Sequence, residues 1–94
     1  MIKYNPDIKK MLNSQSVEVN KTIVIEELSE LQKEVCKDLR GYERREEIKE
    51  EMADAYICLQ MLKEIYNFSD EELEKMYERK MRRNIERINK DRSL

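Results

Sequence analysis

The chain contains one acidic pattern twice, reading IEELSEL at residues 25–31 and KEEMADA at residues 49–55. In each copy two carboxylates stand three residues apart: Glu27 with Glu30, and Glu51 with Asp54. On an α-helix this spacing places both side chains on one side, about one turn apart. Each copy is therefore predicted to present an acidic pair from one face of a helix.

Gly41 lies midway between the two copies and predicts the end of a helix, because glycine readily adopts the left-handed conformation that closes helices. Each acidic pair is centred about twelve residues from the junction between Arg40 and Gly41, which is about 18 Å at the helical rise of 1.5 Å per residue. We therefore predict helices over residues 17–40 and 43–66, joined as an antiparallel hairpin. In such a hairpin the four carboxylates meet at the same level.

Each predicted helix also carries an apolar stripe at helical spacing. The first stripe consists of Val24, Leu28, Leu31, Val35 and Leu39, and the second of Ile48, Met52, Ala55, Leu59, Leu62 and Tyr66. We predict that these stripes form the seam between the two helices, with the acidic pairs beside it. We expect the neighbouring acids to be solvated or to support the site rather than to bind a ligand: Glu26, Glu34, Glu47 and Glu50.

Two further helices are predicted. Asn5 and Pro6 favour the start of a short helix over residues 6–13. Ser69 and Glu72 form a capping box that starts a third long helix over residues 70–90, which we expect to cross the hairpin. The apolar stripe of that helix consists of Leu73, Tyr77, Met81, Ile85 and Ile88.

Composition supports an all-α fold in a single domain, residues 1–94. The chain has one glycine and one proline, and 43% of its residues are charged. So small a domain leaves apolar surface uncovered, so we expect a homodimer or homotetramer that completes a four-helix-type bundle. No apolar run reaches the ~20 residues of a membrane span, and no signal peptide is evident, so we expect a cytoplasmic protein without membrane contact.

The residue types restrict the metal chemistry. Because the chain has no histidine and its two cysteines, Cys36 and Cys58, are far apart, a zinc site is excluded and both are expected to be buried free thiols. A di-iron bundle would require Glu-x-x-His motifs. Four carboxylates with oxygen ligands alone favour Mg²⁺ or Mn²⁺, which suits metal-assisted attack of water on a phosphoryl group.

The motif EExxE at residues 26–30, followed by ExxD at residues 51–54, resembles the signature of the all-α NTP pyrophosphatases, the MazG-like group. The resemblance covers about residues 20–88. It implies a Mg²⁺-dependent enzyme that hydrolyses a nucleoside triphosphate to a monophosphate and pyrophosphate. The residues implied as metal ligands and catalytic groups are Glu27, Glu30, Glu51 and Asp54.

The same resemblance implies that a later helix binds the substrate phosphates. The implied residues are Lys80, Arg83 and Asn84. In the family an arginine follows the asparagine, whereas Ile85 occupies that position here, so either Arg83 or Arg87 would take its role. Cys58 stands where some relatives carry an aromatic residue near the base, so base preference does not transfer.

Two other function classes remain open. Residues 79–92 hold seven basic and two acidic residues, which would suit a nucleic-acid binder, although no nucleic-acid motif accompanies them. The chain could also be a non-catalytic, oligomeric interaction module. We favour the enzyme because the two acidic pairs occupy matched positions about the turn.

Overall fold

The computed structural model describes residues 3–92, which form four α-helices and, within that range, no strand. The helices are α1 (Asp7–Asn13), α2 (Val17–Leu39), α3 (Arg45–Ile65) and α4 (Asp70–Arg92). The all-α prediction is confirmed, and the predicted bounds of the four helices are correct to within two residues. Among residues 3–92, no helix combines the length and the apolar character that a membrane span requires.

Local capping explains where the helices begin and end. The Ser16 hydroxyl accepts a hydrogen bond from the Val19 N–H at the start of α2, and Gly41 follows its end with φ +93°. At the start of α4, the Glu72 N–H donates to the Ser69 hydroxyl at 3.1 Å, and the Ser69 N–H donates to the Glu72 carboxylate at 2.8 Å. The predicted capping box is thus confirmed.

Helices α2 and α3 form the predicted antiparallel hairpin, and α1 packs against α3. The buried core is small and consists of Ile8, Val24, Cys58 and Met61. Asn20 is also buried, and its side-chain amide donates to the Leu12 carbonyl at 2.9 Å, which ties α2 to the end of α1. The prediction of a buried free thiol is correct for Cys58 and wrong for Cys36, which is exposed.

The predicted apolar seam is wrong in detail. Several of its members are exposed in the single chain: Leu28, Val35, Leu39, Met52, Leu59 and Tyr66. Val24 of the first stripe is buried as predicted, and the other side chains that α2 buries are Asn20 and Glu34. These residues share a helical face that also contains Glu27, so the inward face is partly acidic. The exposed apolar positions form a second face of the hairpin beside it.

Helix α4 is present where it was predicted, but the expectation that it crosses the hairpin is wrong. Every residue from 66 to 92 is exposed, and α4 buries none of its side chains. An ion pair of 3.3 Å joins Lys63 to Asp70 at the start of α4. A groove of about 470 Å³, lined in part by Tyr56, Leu59 and Leu73, separates this first turn from α3.

Candidate metal centre

Three carboxylates meet at one level of the hairpin. Glu27 on α2 and Glu51 and Asp54 on α3 each place one carboxylate oxygen within 4.8 Å of the others. All three side chains are half-buried. The antiparallel turn at Gly41 permits this convergence, because α2 and α3 run back from it side by side.

The fourth predicted ligand, Glu30, lies outside this group of three. Its carboxylate accepts a hydrogen bond from the Lys33 ammonium at 3.1 Å on the same helix. About half of the Glu30 side chain is exposed, so rotation toward the other acids would meet little packing resistance. Its role as a ligand stays a prediction.

The surroundings of Glu27 and Glu51 disfavour the charged forms of these two carboxyl groups. The pKa of Glu27 is raised, first by burial and then by repulsion from Asp54 and a hydrogen bond between these two carboxyl groups. The pKa of Glu51 is raised by burial and by the charges of Asp54 and Glu27. Within residues 3–92, the Glu51 Oε2 atom is buried and has no hydrogen-bond partner. A bound cation would offset both the burial and the repulsion.

The acidic face continues toward the turn, where protein cations neutralise it. Glu34 is buried; its carboxylate accepts a 2.6 Å hydrogen bond from Arg44 Nε and a 3.4 Å hydrogen bond from the Lys37 ammonium. The bond from Arg44 is the main reason that the pKa of Glu34 is lowered, although burial opposes it. Half-buried Glu47 adds a second buried oxygen without a hydrogen-bond partner among the described residues.

The sequence pattern predicts that Glu34 is solvated or supports the site, and it assigns no role to Arg44. The signal available was the continuation of the acidic spacing from Glu30 to Glu34, with an arginine ten residues further on, just past the turn. The consequence is an asymmetric row of acids. Near the turn it is neutralised by the protein, whereas at Glu27, Glu51 and Asp54 the described residues supply no cation.

Apolar side chains close one side of the acidic group. Cys58 is 2% exposed, and its pKa is raised by burial first and then by the charges of Glu27 and Asp54. It packs in the core with Val24 and Met61. The cluster thus lies between the small core and the solvent, and its outer side is open to a ligand.

The predicted phosphate-binding residues are not brought to the acidic group within one chain. Lys80, Arg83 and Asn84 lie on the exposed helix α4, as does Arg87. In the part of the chain that the structure describes, none of these side chains forms an ion pair with Glu27, Glu51 or Asp54. Their roles stay predictions.

Comparison with known proteins gives no match for this chain among family models, curated proteins or solved structures. The site is defined by its own geometry. Three carboxylates meet at one level, one buried oxygen among them has no hydrogen-bond partner in the described part of the chain, and apolar side chains close one side.

Proposed function

We propose that this chain is a Mg²⁺-dependent nucleoside triphosphate pyrophosphohydrolase, which converts a (deoxy)nucleoside triphosphate to the monophosphate and pyrophosphate. The observation that carries the proposal is the convergence of Glu27, Glu51 and Asp54, with a buried Glu51 oxygen that has no hydrogen-bond partner among residues 3–92. The resemblance of the EExxE and ExxD motifs to those of the all-α NTP pyrophosphatases supports the same reaction.

The three acids fit a hard divalent cation. Their donor atoms are all carboxylate oxygens, which suit Mg²⁺ or Mn²⁺. Oxygens about 2.1 Å from one ion lie no more than about 4.2 Å apart. Oxygens already within 4.8 Å therefore need only small side-chain rotations to bind one ion together. When bound, such an ion neutralises phosphate charge and lowers the pKa of a coordinated water.

The protein's own residues position this site. The ion pair between Glu34 and Arg44 links α2 to the start of α3, so it holds the two arms of the hairpin in register. It also neutralises the acidic row near the turn, which leaves Glu27, Glu51 and Asp54 as the group that attracts a cation. Glu30 lies one turn from Glu27 and would join the ligands by releasing Lys33.

Binding of the triphosphate requires cations near the acidic group, and Lys80, Arg83 and Asn84 are the proposed residues. Because α4 makes no such contact within one chain, these side chains would reach an acidic group through movement of α4 or through assembly. Assembly is supported by the exposed apolar face of the hairpin, which favours a homodimer or homotetramer with a four-helix-type bundle. A cytoplasmic location, where nucleotide substrates occur, is part of the proposal.

Pyrophosphate release from a panel of nucleoside triphosphates with Mg²⁺ tests the proposal. Activity should be lost in Glu51→Gln and in Asp54→Asn, because each change removes a carboxylate from the group of three. Glu50→Gln is the matched control, since Glu50 is exposed and lies outside the group. Turnover retained in both site variants would refute the assignment.

The second candidate is a non-catalytic, oligomeric interaction module, which the extensive exposed apolar surface favours. It predicts no turnover and no effect of Mg²⁺ on thermal stability. A nucleic-acid binder would instead show salt-dependent binding that is lost when Arg82, Arg83 and Arg87 are replaced.

A further inference from the structure

Helix α4 presents an apolar stripe that the described chain does not cover. Its five members are between 42% and 56% exposed: Leu73, Tyr77, Met81, Ile85 and Ile88. Most helical stability in proteins comes from the packing of such an apolar face rather than from the helix propensity of the residues. We therefore expect the stripe of α4 to pack against a partner surface.

The stripe reads nearly the same in both directions. Met81 is the midpoint of α4, which runs from Asp70 to Arg92. Tyr77 and Ile85 lie four residues to either side of Met81, and the outer members of the stripe lie eight residues before it and seven after it. A stripe with this symmetry matches itself when a second copy lies antiparallel, as a two-fold interface requires.

The charges of α4 favour the same arrangement. Residues 70–78 hold five acidic residues and one basic residue, for a net charge of −4. Residues 79–92 hold seven basic and two acidic residues, for a net charge of +5. Parallel pairing would place like charges together, whereas antiparallel pairing places each acidic half beside a basic half.

The charges along one side of the stripe suit the same antiparallel pairing, because the acidic residues precede Met81 and the basic residues follow it. At 100° per residue, Glu71, Glu78 and Arg82 lie between about 60° and 100° to one side of Met81, and Arg92 lies about 20° to the same side. In an antiparallel pair of helices each edge faces the same edge of the partner. With the two-fold axis at Met81, Glu78 lies within about two residues of the level of Arg82 of the second copy, and Glu71 lies within about one residue of the level of Arg92. Within residues 3–92, none of these four side chains forms an ion pair.

We infer that α4 is a self-association surface, which pairs antiparallel with α4 of a second copy of this chain about a two-fold axis near Met81. The two stripes pack against each other, and Glu71, Glu78, Arg82 and Arg92 form ion pairs between the copies. The inference does not depend on the proposed function. A partner's hairpin is a poorer occupant of the whole stripe, because its acidic surface would attract only the basic half of α4 and would repel the acidic half.

Two charge-reversal variants of the full chain test the inference. Variant K carries Glu71→Lys and Glu78→Lys, and variant E carries Arg82→Glu and Arg92→Glu. Both variants leave the capping residues of α4 intact. Circular dichroism serves to check that each variant folds. In sedimentation equilibrium we expect each variant alone to self-associate at least about tenfold more weakly than the wild type. An equimolar mixture should regain association, because all four ion pairs then join opposite charges.

The matched control carries Arg79→Glu and Glu86→Lys, which change charges on the face of α4 opposite the stripe. It should associate as the wild type does. The inference would be overturned if variant K associated as strongly as the wild type or more strongly. Its added positive charges would then favour binding of α4 to the acidic hairpin of the second copy. A monomeric wild type, or a mixture no more associated than its components, would overturn the inference as well.

Discussion

Replacing Glu27 with glutamine is expected to stabilise the metal-free protein. The carboxylate oxygens of the site lie within 4.8 Å, and two unit charges at that distance repel by about 3.5 kcal/mol at an effective dielectric constant of about 20. Because the outer side of the site is open to water, we expect screening to leave about 1 kcal/mol of this repulsion. Glutamine keeps the shape of the side chain and removes the charge. The variant should therefore melt about 4–8 °C higher without metal.

Added Mg²⁺ should make the wild type more stable than the Glu27→Gln variant. At one hundred times its dissociation constant, Mg²⁺ adds about 2.7 kcal/mol to the stability of a protein that binds it only when folded. The wild type should gain this amount, and the Glu27→Gln variant should lose most of it with the missing ligand. Thermal melts at pH 8, with either EDTA or Mg²⁺, measure both effects. Glu50→Gln is the control, because Glu50 is exposed and outside the site.

The pH dependence gives an independent check on the same variant. Burial is the first cause of the raised pKa of both Glu27 and Glu51, so the folded protein binds protons there more tightly than the unfolded chain. Without metal, stability should therefore fall as the pH rises from the ordinary carboxyl value of 4.5 through these raised values. Glu27→Gln should make this fall smaller. A variant that melts below the wild type in EDTA, or that responds equally to Mg²⁺, would refute the reasoning.

Three further outcomes are expected from the fold. Met61→Ala should lower the free energy of unfolding by about 2–5 kcal/mol, because Met61 is 2% exposed in a very small core. Urea titrations measure this change. The exposed control Leu39→Ala should change the free energy of unfolding by less than about 0.5 kcal/mol. Because Arg44 lowers the pKa of Glu34, this carboxylate stabilises the fold above pH 4.5, and the contribution is lost as the pH falls through the lowered pKa. Thermal melts across this range should show a shallower acid-side loss in Arg44→Met, and an unchanged profile would contradict the role of the pair. Ser69→Ala removes one half of the capping box at a cost of about 1 kcal/mol, and circular dichroism should report lost helix because no side chain of α4 is buried within the single chain.

Local signals predicted the helices well because they act over one turn. The Ser69 capping box and the left-handed Gly41 lie where the sequence placed them, since each depends on bonds or backbone conformations within about four residues. The matched spacing of the acidic pairs about the turn also predicted that Glu27, Glu51 and Asp54 would meet. Helical rise alone was sufficient for that inference.

Local signals in the sequence did not predict how each of the two helices is rotated about its own axis. Periodicity assigned Leu28 and Val35 to the seam, whereas the structure exposes them and buries Glu34. A buried carboxylate is tolerated only with a partner, and Arg44 reaches Glu34 from across the turn, ten residues further along the chain. A pattern of apolar residues contains no information about such a pair.

By itself, therefore, the sequence determined the helices, their ends and the level at which the acids converge, because these depend on neighbours within a turn and on the fixed rise of a helix. Only the tertiary structure decided which face of the hairpin turns inward, that Glu30 pairs with Lys33 outside the cluster, and that α4 extends with its stripe uncovered. These outcomes depend on competition among surfaces and charges that are distant in the chain, and each is decided by packing and pairing rather than by local preference.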